Sequence, residues 1–426
     1  MKFHIAKKIL RTVCFLMAFL FVFGTSCAFL ERKTSRERYA EFWSEPDAYD
    51  VWFLGTSHMY YAVQPMDLWK EYGIRSYNLA APASLIPQVY WTLKNALNYG
   101  RPKAVVVDCY HIERDFRINT NKIAQMHTGL DSIPLSRSKF EAVFDLFDTT
   151  ELRMEFLFDF YMYHNRWEEI GAEDFKPEYS VQKGALLSST VNDVSGRLKP
   201  IDQTDKRVKE TDGYVYFRKI IELCQSRNIP VILTSVPFCA PKSVQRILNG
   251  VSGLSEEYRV PFLNLTYEPA LSLDYQTDFW DWGHVNRAGA KKITHYIGSY
   301  LNEQLNLQKT RPDQTTEQKW DDAYLVYRDS YTQWIREEEN LNDYLTWLSD
   351  EAYFCEIYQN ENINPAEDPI LEKLLRGVNC KTSLSYEDAV SAAGNEFTGD
   401  FLFIVKDAFT GETLDTAIFL DKKRRR

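Results

Sequence analysis

The sequence predicts an α/β fold: a parallel sheet of about five strands with helices on both faces, a transmembrane helix ahead of it and a small α/β module behind it. Three observations carry this. Short apolar runs alternate with helix-patterned stretches from Asp47 to about Leu305, which implies a parallel sheet covered on both sides. An uncharged run from Thr12 to Leu30 stands at the N-terminus behind basic residues. After a polar stretch at 307–316, strand and helix patterns resume over 351–420. The boundaries read from these shifts are 1–30 for the membrane helix, 45–306 for the α/β domain with an insertion at 118–200, 307–316 for a linker, 317–350 for an amphipathic helix and 351–426 for the last module. Of the 426 residues, 45% are apolar and 26% charged, ordinary globular values that exclude a disordered or many-span chain. The net charge of −10 argues against a nucleic-acid partner, since a basic stripe is the usual footprint of one.

The N-terminal run is long enough to span. Nineteen residues at ~1.5 Å each reach about 28 Å, near the thickness of a hydrocarbon core. Lys2, Lys7, Lys8 and Arg11 precede it, and the positive-inside tendency keeps such a flank cytoplasmic. The expectation is a single-pass cell-membrane protein with an extracytoplasmic body. Two other readings stay open: a signal peptide cleaved near Thr25–Ala28, and a lipoprotein cysteine at Cys27. Seven cysteines are present, two of them in this run, with no CxxC pair. Neither a disulfide framework nor a zinc site is suggested.

In the body, Val51–Leu54, Ser76–Leu79, Ala104–Val107, Ile229–Leu233 and Phe262–Leu265 read as buried strands. Pro87–Tyr99, closed by Gly100, Tyr214–Cys224 and Asn286–Leu305 read as helices. The 118–200 insertion has no strand pattern and holds the aromatic run from Phe156 to Trp167. It is either a lid or substrate wall at the sheet's carboxyl edge, or a helical cap that buries its aromatics. Farther on, Trp320, Tyr324, Tyr327, Tyr331, Trp334, Leu341, Tyr344 and Leu348 recur at four-three spacing, interrupted only by Glu338. This predicts one long amphipathic helix, docked within the chain or forming a coiled coil. In the last module Tyr353–Tyr358 and Phe401–Val405 are strands, Ile370–Arg376 is helical and Leu414–Phe419 returns as a hairpin. The basic end, Lys422–Arg426, is expected to be solvated or to touch an anionic polymer.

Two segments carry chemistry. Phe53-Leu54-Gly55-Thr56-Ser57-His58 is a strand running through Gly into a helical pattern, so Ser57 stands at the sheet's carboxyl edge, where a hydroxyl and a backbone N–H can meet one ligand. Ser is also an ordinary helix cap. The second segment, Asp278 to Ala290, contains Asp281 and His284 in a Gly-containing loop. That spacing lets the carboxylate fix the imidazole tautomer and leaves the other nitrogen to accept a proton from a serine. A metal is the rival reading of the pair, without a third or fourth ligand nearby. Asn286 is expected to cap the last helix.

Together the segments resemble the GDSL/SGNH hydrolase-like superfamily over Asp47 to Leu305. The resemblance implies a flavodoxin-type sheet, with Ser57 as nucleophile, His284 as general base and Asp281 as its orienting acid. Its oxyanion donors are the nucleophile's own N–H, a backbone N–H of the second block and an Asn side chain of the third. The second block here is Tyr77 to Ala83, with Ala80 or Ala83 where Gly is usual. The third reads Asp108-Cys109-Tyr110-His111-Ile112 and has no Asn, leaving Tyr110 or His111 as substitutes. The GTSH start, N-terminal anchor and large insertion are most similar to the extracytoplasmic members of alginate O-acetylation and teichoic-acid D-alanine transfer systems. The activity implied is O-acyl transfer to, or removal from, a cell-surface polysaccharide, with a membrane-bound O-acyltransferase as partner and no metal or organic cofactor. A non-catalytic glycan-binding or docking protein is the alternative. Tyr163, His164, Arg166, Trp167 and Trp282 are the candidate glycan contacts, because aromatic faces stack on sugar rings.

Overall fold

The computed structural model describes residues 2–30, 33–116, 123–158, 161, 163–171, 180–305, 307, 313–394 and 397–425. Helix α1 (Lys2–Leu30) contains an apolar stretch, Ile5–Cys27, long enough to cross a membrane, and no part of that stretch is buried against the body. Helix α2 (Lys33–Ser44) leads into strand β1 (Val51–Leu54), α3 (Ser57–Ala62), α4 (Pro65–Tyr72), β2 (Ser76–Asn78), α5 (Ile86–Ala96) and β3 (Ala104–Asp108). The insertion folds into α6 (Ile123–Leu130), α7 (Arg137–Leu146) and α8 (Thr150–Leu157). Then come α9 (Asp212–Ser226), β4 (Val231–Ser235), α10 (Lys242–Tyr258), β5 (Phe262–Asn264) and α11 (Arg287–Leu305).

Strands β1–β5 form one sheet in the order β2-β1-β3-β4-β5, with every neighbouring pair parallel. All residues of β1 to β4 are buried, which is why they read as continuous apolar runs rather than alternating ones. Alternation still sorts them by face. Val51, Phe53 and Val106 pack with Leu68, Ile293 and Ile297 of α4 and α11. Trp52, Leu54, Val105 and Val107 pack with Val89, Phe217, Ile221 and Val251 of α5, α9 and α10. Helices α4 and α10 were not anticipated from the sequence: α4 is short, and α10 carries its apolar residues between charged ones.

The expected long helix is instead two: α12 (Gln314–Glu337) and α13 (Leu341–Trp347). The break falls at the interrupting Glu338, and Asn340 Oδ1 accepts the N–H groups of Asn342 and Asp343 to start the new helix. Their aromatic seam docks within the chain. Trp320, Tyr327, Tyr331, Tyr344 and Leu348 are buried in the same cluster as Trp52 and Trp69. A second sheet follows from β6 (Tyr353–Gln359), α14 (Pro369–Gly377), β7 (Cys380–Ser383), α15 (Tyr386–Ala393), β8 (Phe401–Asp407), β9 (Thr413–Leu420) and β10 (Lys423–Arg425), in the order β10-β9-β8-β6-β7. The basic end is a paired strand rather than a free tail, with Lys422, Lys423 and Arg425 still exposed to solvent. Lys423–Arg425 pairs antiparallel with β9, and Arg424 Nη2 bonds Asp415 at 2.6 Å. Phe403 and Phe419 of this sheet share the buried cluster of β1 and β3.

One buried cation ties these regions to the sheet. The guanidinium of Arg287, at the start of α11, pairs with Asp67 of α4 and with Asp350. Its Nε donates to Tyr331 Oη at 3.2 Å. A buried charge is tolerated only when paired in this way.

Candidate active site

β1 delivers Ser57. Gly55 has φ +148°, and a Cβ there would stand 2.8 Å from Asp108 Cβ, so only glycine lets the chain turn beside β3. Thr56, not Ser57, caps α3: its side chain accepts the His58 N–H at 3.3 Å. The capping role that competed for Ser57 thus belongs to its neighbour. Ser57 takes the first helical position, where its own N–H has no intrahelical acceptor.

The loop before α11 delivers the other two groups. Asp281 Oδ1 accepts the backbone N–H groups of Gly283 (2.6 Å) and His284 (2.8 Å), so the loop is wound about the carboxylate. Both Asp281 oxygens lie 2.9 Å from His284 Nδ1, and His284 Nε2 lies 2.8 Å from Ser57 Oγ. Burial favours a neutral Asp281, but the hydrogen bond and charge of His284 with the two backbone donors hold its carboxyl below the usual range. Asn286 caps α11 as expected, its Oδ1 accepting the N–H groups of Ala288 and Gly289. Its Nδ2 donates to the Thr190 and Thr277 carbonyls.

The end of the insertion laces the parts together. The Lys183 carbonyl accepts from Asn78, Leu186 N–H donates to the Tyr60 carbonyl, the Ser188 carbonyl accepts from Arg287, and Asn192 N–H donates to the Phe279 carbonyl. This strap spans β2, α3 and the Asp281 loop, and so fixes elements that carry the three groups.

The second-block donors separate. Ala80 N–H is occupied by Asn78 Oδ1 at 3.2 Å, which removes it as an oxyanion donor. Ala83 takes a left-handed φ of +50°, and no hydrogen bond engages its N–H among the described residues. At the third block, His111 Nδ1 is 3.0 Å from the Ser84 carbonyl. Tyr110 stacks on His58 with ring centroids 3.8 Å apart.

Three site neighbours, His58, Tyr61 and Asp108, escaped the sequence reading, and Trp280 joins them from the Asp278–Ala290 segment. His58 is buried between Tyr110 and Phe238, with its ring 5.2 Å from that of His284. Burial, then the nearby His284 and His111, drive its pKa well below 6.5, so it stays neutral. Trp280 stacks on His284 at 5.1 Å and Tyr61 stands 5.3 Å from it. Tyr61 was findable, since it lies one helical turn after Ser57 on the same face. Asp108, at the end of β3, is buried with Oδ2 lacking a partner. Burial pushes its carboxyl up to about 7 despite the N–H donors of Val236, Tyr110 and Cys109.

The proposed glycan contacts do not gather here. Tyr163 is buried, and its hydroxyl donates to Asp131 at 2.7 Å inside the insertion. Phe156 is likewise core, stacked between His127 and Phe147. Arg166 donates from Nη1 to the Leu30 carbonyl at 3.1 Å, and Trp167 is exposed on the same short helical turn, His164–Glu168. The His164 side chain lies outside what is described. Only Trp282 stays with the site: it is exposed on the Asp281–His284 loop, and its carbonyl accepts the Cys239 N–H at 2.8 Å. The expected aromatic wall is thus reduced to Trp280, Trp282 and Tyr61.

A large cavity, about 1610 Å³, lies elsewhere, between α4, α11 and the α12–α14 region. Its Lys292 and Lys373 are paired with Asp278 and Asp274, and it includes none of the three catalytic candidates. Among the described residues no group of three or more His, Cys, Asp or Glu side chains is placed to hold a metal ion. No protein-family model matches the chain, and neither a curated protein nor a solved structure matches it.

Proposed function

We propose that this protein is a membrane-anchored SGNH-type serine acyltransferase or esterase acting on O-acyl groups of a surface polysaccharide, with its body on the outer side. The observation that carries the reading is the chain of contacts from Asp281 through His284 to Ser57, at 2.9 and 2.8 Å. The strand order supports it, because a 2-1-3-4-5 sheet is the flavodoxin-type arrangement and places ligands at the carboxyl ends of its strands.

Ser57 Oγ attacks the acyl carbonyl carbon while its proton passes to His284 Nε2. Asp281 holds the Nδ1–H tautomer and stabilises the imidazolium. The negative oxygen of the tetrahedral intermediate is met by the N–H groups of Ser57 and Ala83. His284 then protonates the departing alkoxide, leaving an acyl-Ser57 ester. A water or a sugar hydroxyl, deprotonated by His284, attacks that ester and restores the serine. Trp280 shields one face of the imidazole.

The alternative, a non-catalytic glycan-binding or docking partner of a membrane-bound O-acyltransferase, is favoured by one observation: no carboxamide follows β3, where loss of a single oxyanion donor costs about 10²–10³ in rate. A fluorophosphonate probe on the full chain in membranes separates the two. The enzyme reading expects covalent labelling that Ser57→Ala abolishes. A wild-type chain that takes no label, or a Ser57→Ala chain that labels equally, overturns it.

A further inference from the structure

Two of the residues nominated for sugar binding in the insertion, Arg166 and Trp167, occupy another boundary. Helix α1 continues unbroken to Leu30, less than one turn past Cys27, the end of its apolar stretch. That is a rise of about 4.5 Å, whereas the polar layer on each side of a hydrocarbon core is roughly 5–7 Å deep. Leu30 therefore lies within the headgroup layer when Ile5–Cys27 spans. The body touches the helix there: Leu30 is 9% exposed, its carbonyl accepts from Arg166, and the His164–Glu168 turn packs on α1. On that turn Trp167 is 64% exposed, and on the chain leading to it Phe158 and Tyr161 are 43% and 53% exposed. Large aromatic rings are costly to leave in water, and Trp and Tyr concentrate at membrane interfaces because their rings are apolar with one polar edge.

We propose that Phe158, Tyr161 and the His164–Glu168 turn seat on the outer face of the bilayer, with Trp167, Tyr161 and Phe158 in the headgroup layer and Arg166 clamping the end of α1. The occupant of this surface is lipid, and the seat sets the orientation of the body relative to the membrane. The insertion's later residues, from Lys183 to Asn192, bond β2, α3 and the Asp281 loop beside the Ser57 site. This rests on α1 spanning the membrane and not on any activity.

The test is tryptophan quenching of the full chain in nanodiscs of phosphatidylcholine, with and without bromine on the upper acyl chains. Wild type, Trp167→Phe and Trp282→Phe are compared, and each difference spectrum isolates one ring. Bromination is expected to remove most of the Trp167 emission and to leave the Trp282 emission unchanged. A Trp167 component insensitive to bromine, or a Trp282 component quenched equally, overturns the proposal. Release of the chain from membranes by alkaline carbonate overturns the span itself, and with it this seat, while leaving the Ser57 chemistry to be judged by the labelling experiment.

Discussion

Two histidine–aspartate pairs in this molecule have nearly the same geometry and opposite consequences. His284 Nδ1 lies 2.9 Å from both oxygens of Asp281, and His127 Nδ1 lies 2.8 and 2.9 Å from both oxygens of Asp131. The difference is the second nitrogen. His284 Nε2 faces the Ser57 hydroxyl at 2.8 Å, so it can be an acceptor and move a proton. His127 Nε2 faces a second carboxylate, Glu155, at 3.1 Å, so the arrangement favours the cationic ring, in which both nitrogens donate. Burial follows the same division, with side chains 3% exposed for His127 and 19% for His284. Burial opposes the charge on His127, yet the hydrogen bonds and charges of Asp131 and Glu155 outweigh it and raise its pKa. An Asp–His pair is therefore no signature of catalysis by itself; the group on the far nitrogen decides.

The comparison breaks most sharply under labelling. His284→Ala is expected to slow fluorophosphonate labelling of Ser57 by about 10⁴ or more, the scale on which triad members act. His127→Ala is expected to leave the labelling rate of the folded fraction within about twofold. Equal losses in the two variants would dissolve the distinction.

Stability reverses the order. Removing the His127 ring leaves Asp131 and Glu155 uncompensated in the insertion's core, a loss of about 3–5 kcal/mol, read as a fall in thermal or denaturant midpoint. His284→Ala leaves a partly exposed Asp281 and is expected to cost far less. The sign of the pH dependence follows from the direction of the shift. A histidine whose folded pKa is raised contributes fully below about 6.5 and loses that contribution as pH rises through the raised value. Hydrogen-exchange protection factors in α6–α8, which remove the intrinsic pH dependence of exchange, are thus expected to fall from pH 6 to pH 9 in the wild type and to show no such step in His127→Ala.

The smallest effect concerns a carboxyl with no histidine at all. Asp108, with its pKa pushed up to about 7, binds its proton more tightly folded than unfolded. Stability then falls as pH rises from about 4 to 7 and stays lowered above that. Asp108→Asn removes this slope. Relative to wild type, the variant should gain about 2–3 kcal/mol between pH 5 and pH 8 in denaturation. A constant difference across that range would show that Asp108 does not titrate there.

Much of the fold was legible because parallel strands buried on both faces write themselves as short apolar runs, as Ala104–Val107 does. Part of the site was legible for a local reason: Asp281 and His284 are three residues apart, so their contact needs only a turn. Tyr163 and Phe156 misled because an aromatic residue reads alike whether it stacks on a sugar, fills a core or meets a membrane. Their fate depends on helices α6 and α7 folding back over them, which no window around residue 160 contains.

The sequence by itself determined the N-terminal apolar helix, the alternation that builds the parallel sheet, the glycine turn that presents Ser57 and the Asn286 cap that starts α11. These are properties of neighbouring residues, set by periodicity, φ preference and side-chain reach. Tertiary structure alone decided that Ser57 meets His284 across 227 positions, that the Lys183 carbonyl takes the Asn78 N–H, and that Arg287 pairs with Asp67 and Asp350. Each of those depends on which distant group arrives to satisfy a buried polar atom, and burial belongs to the whole fold rather than to any local stretch of chain.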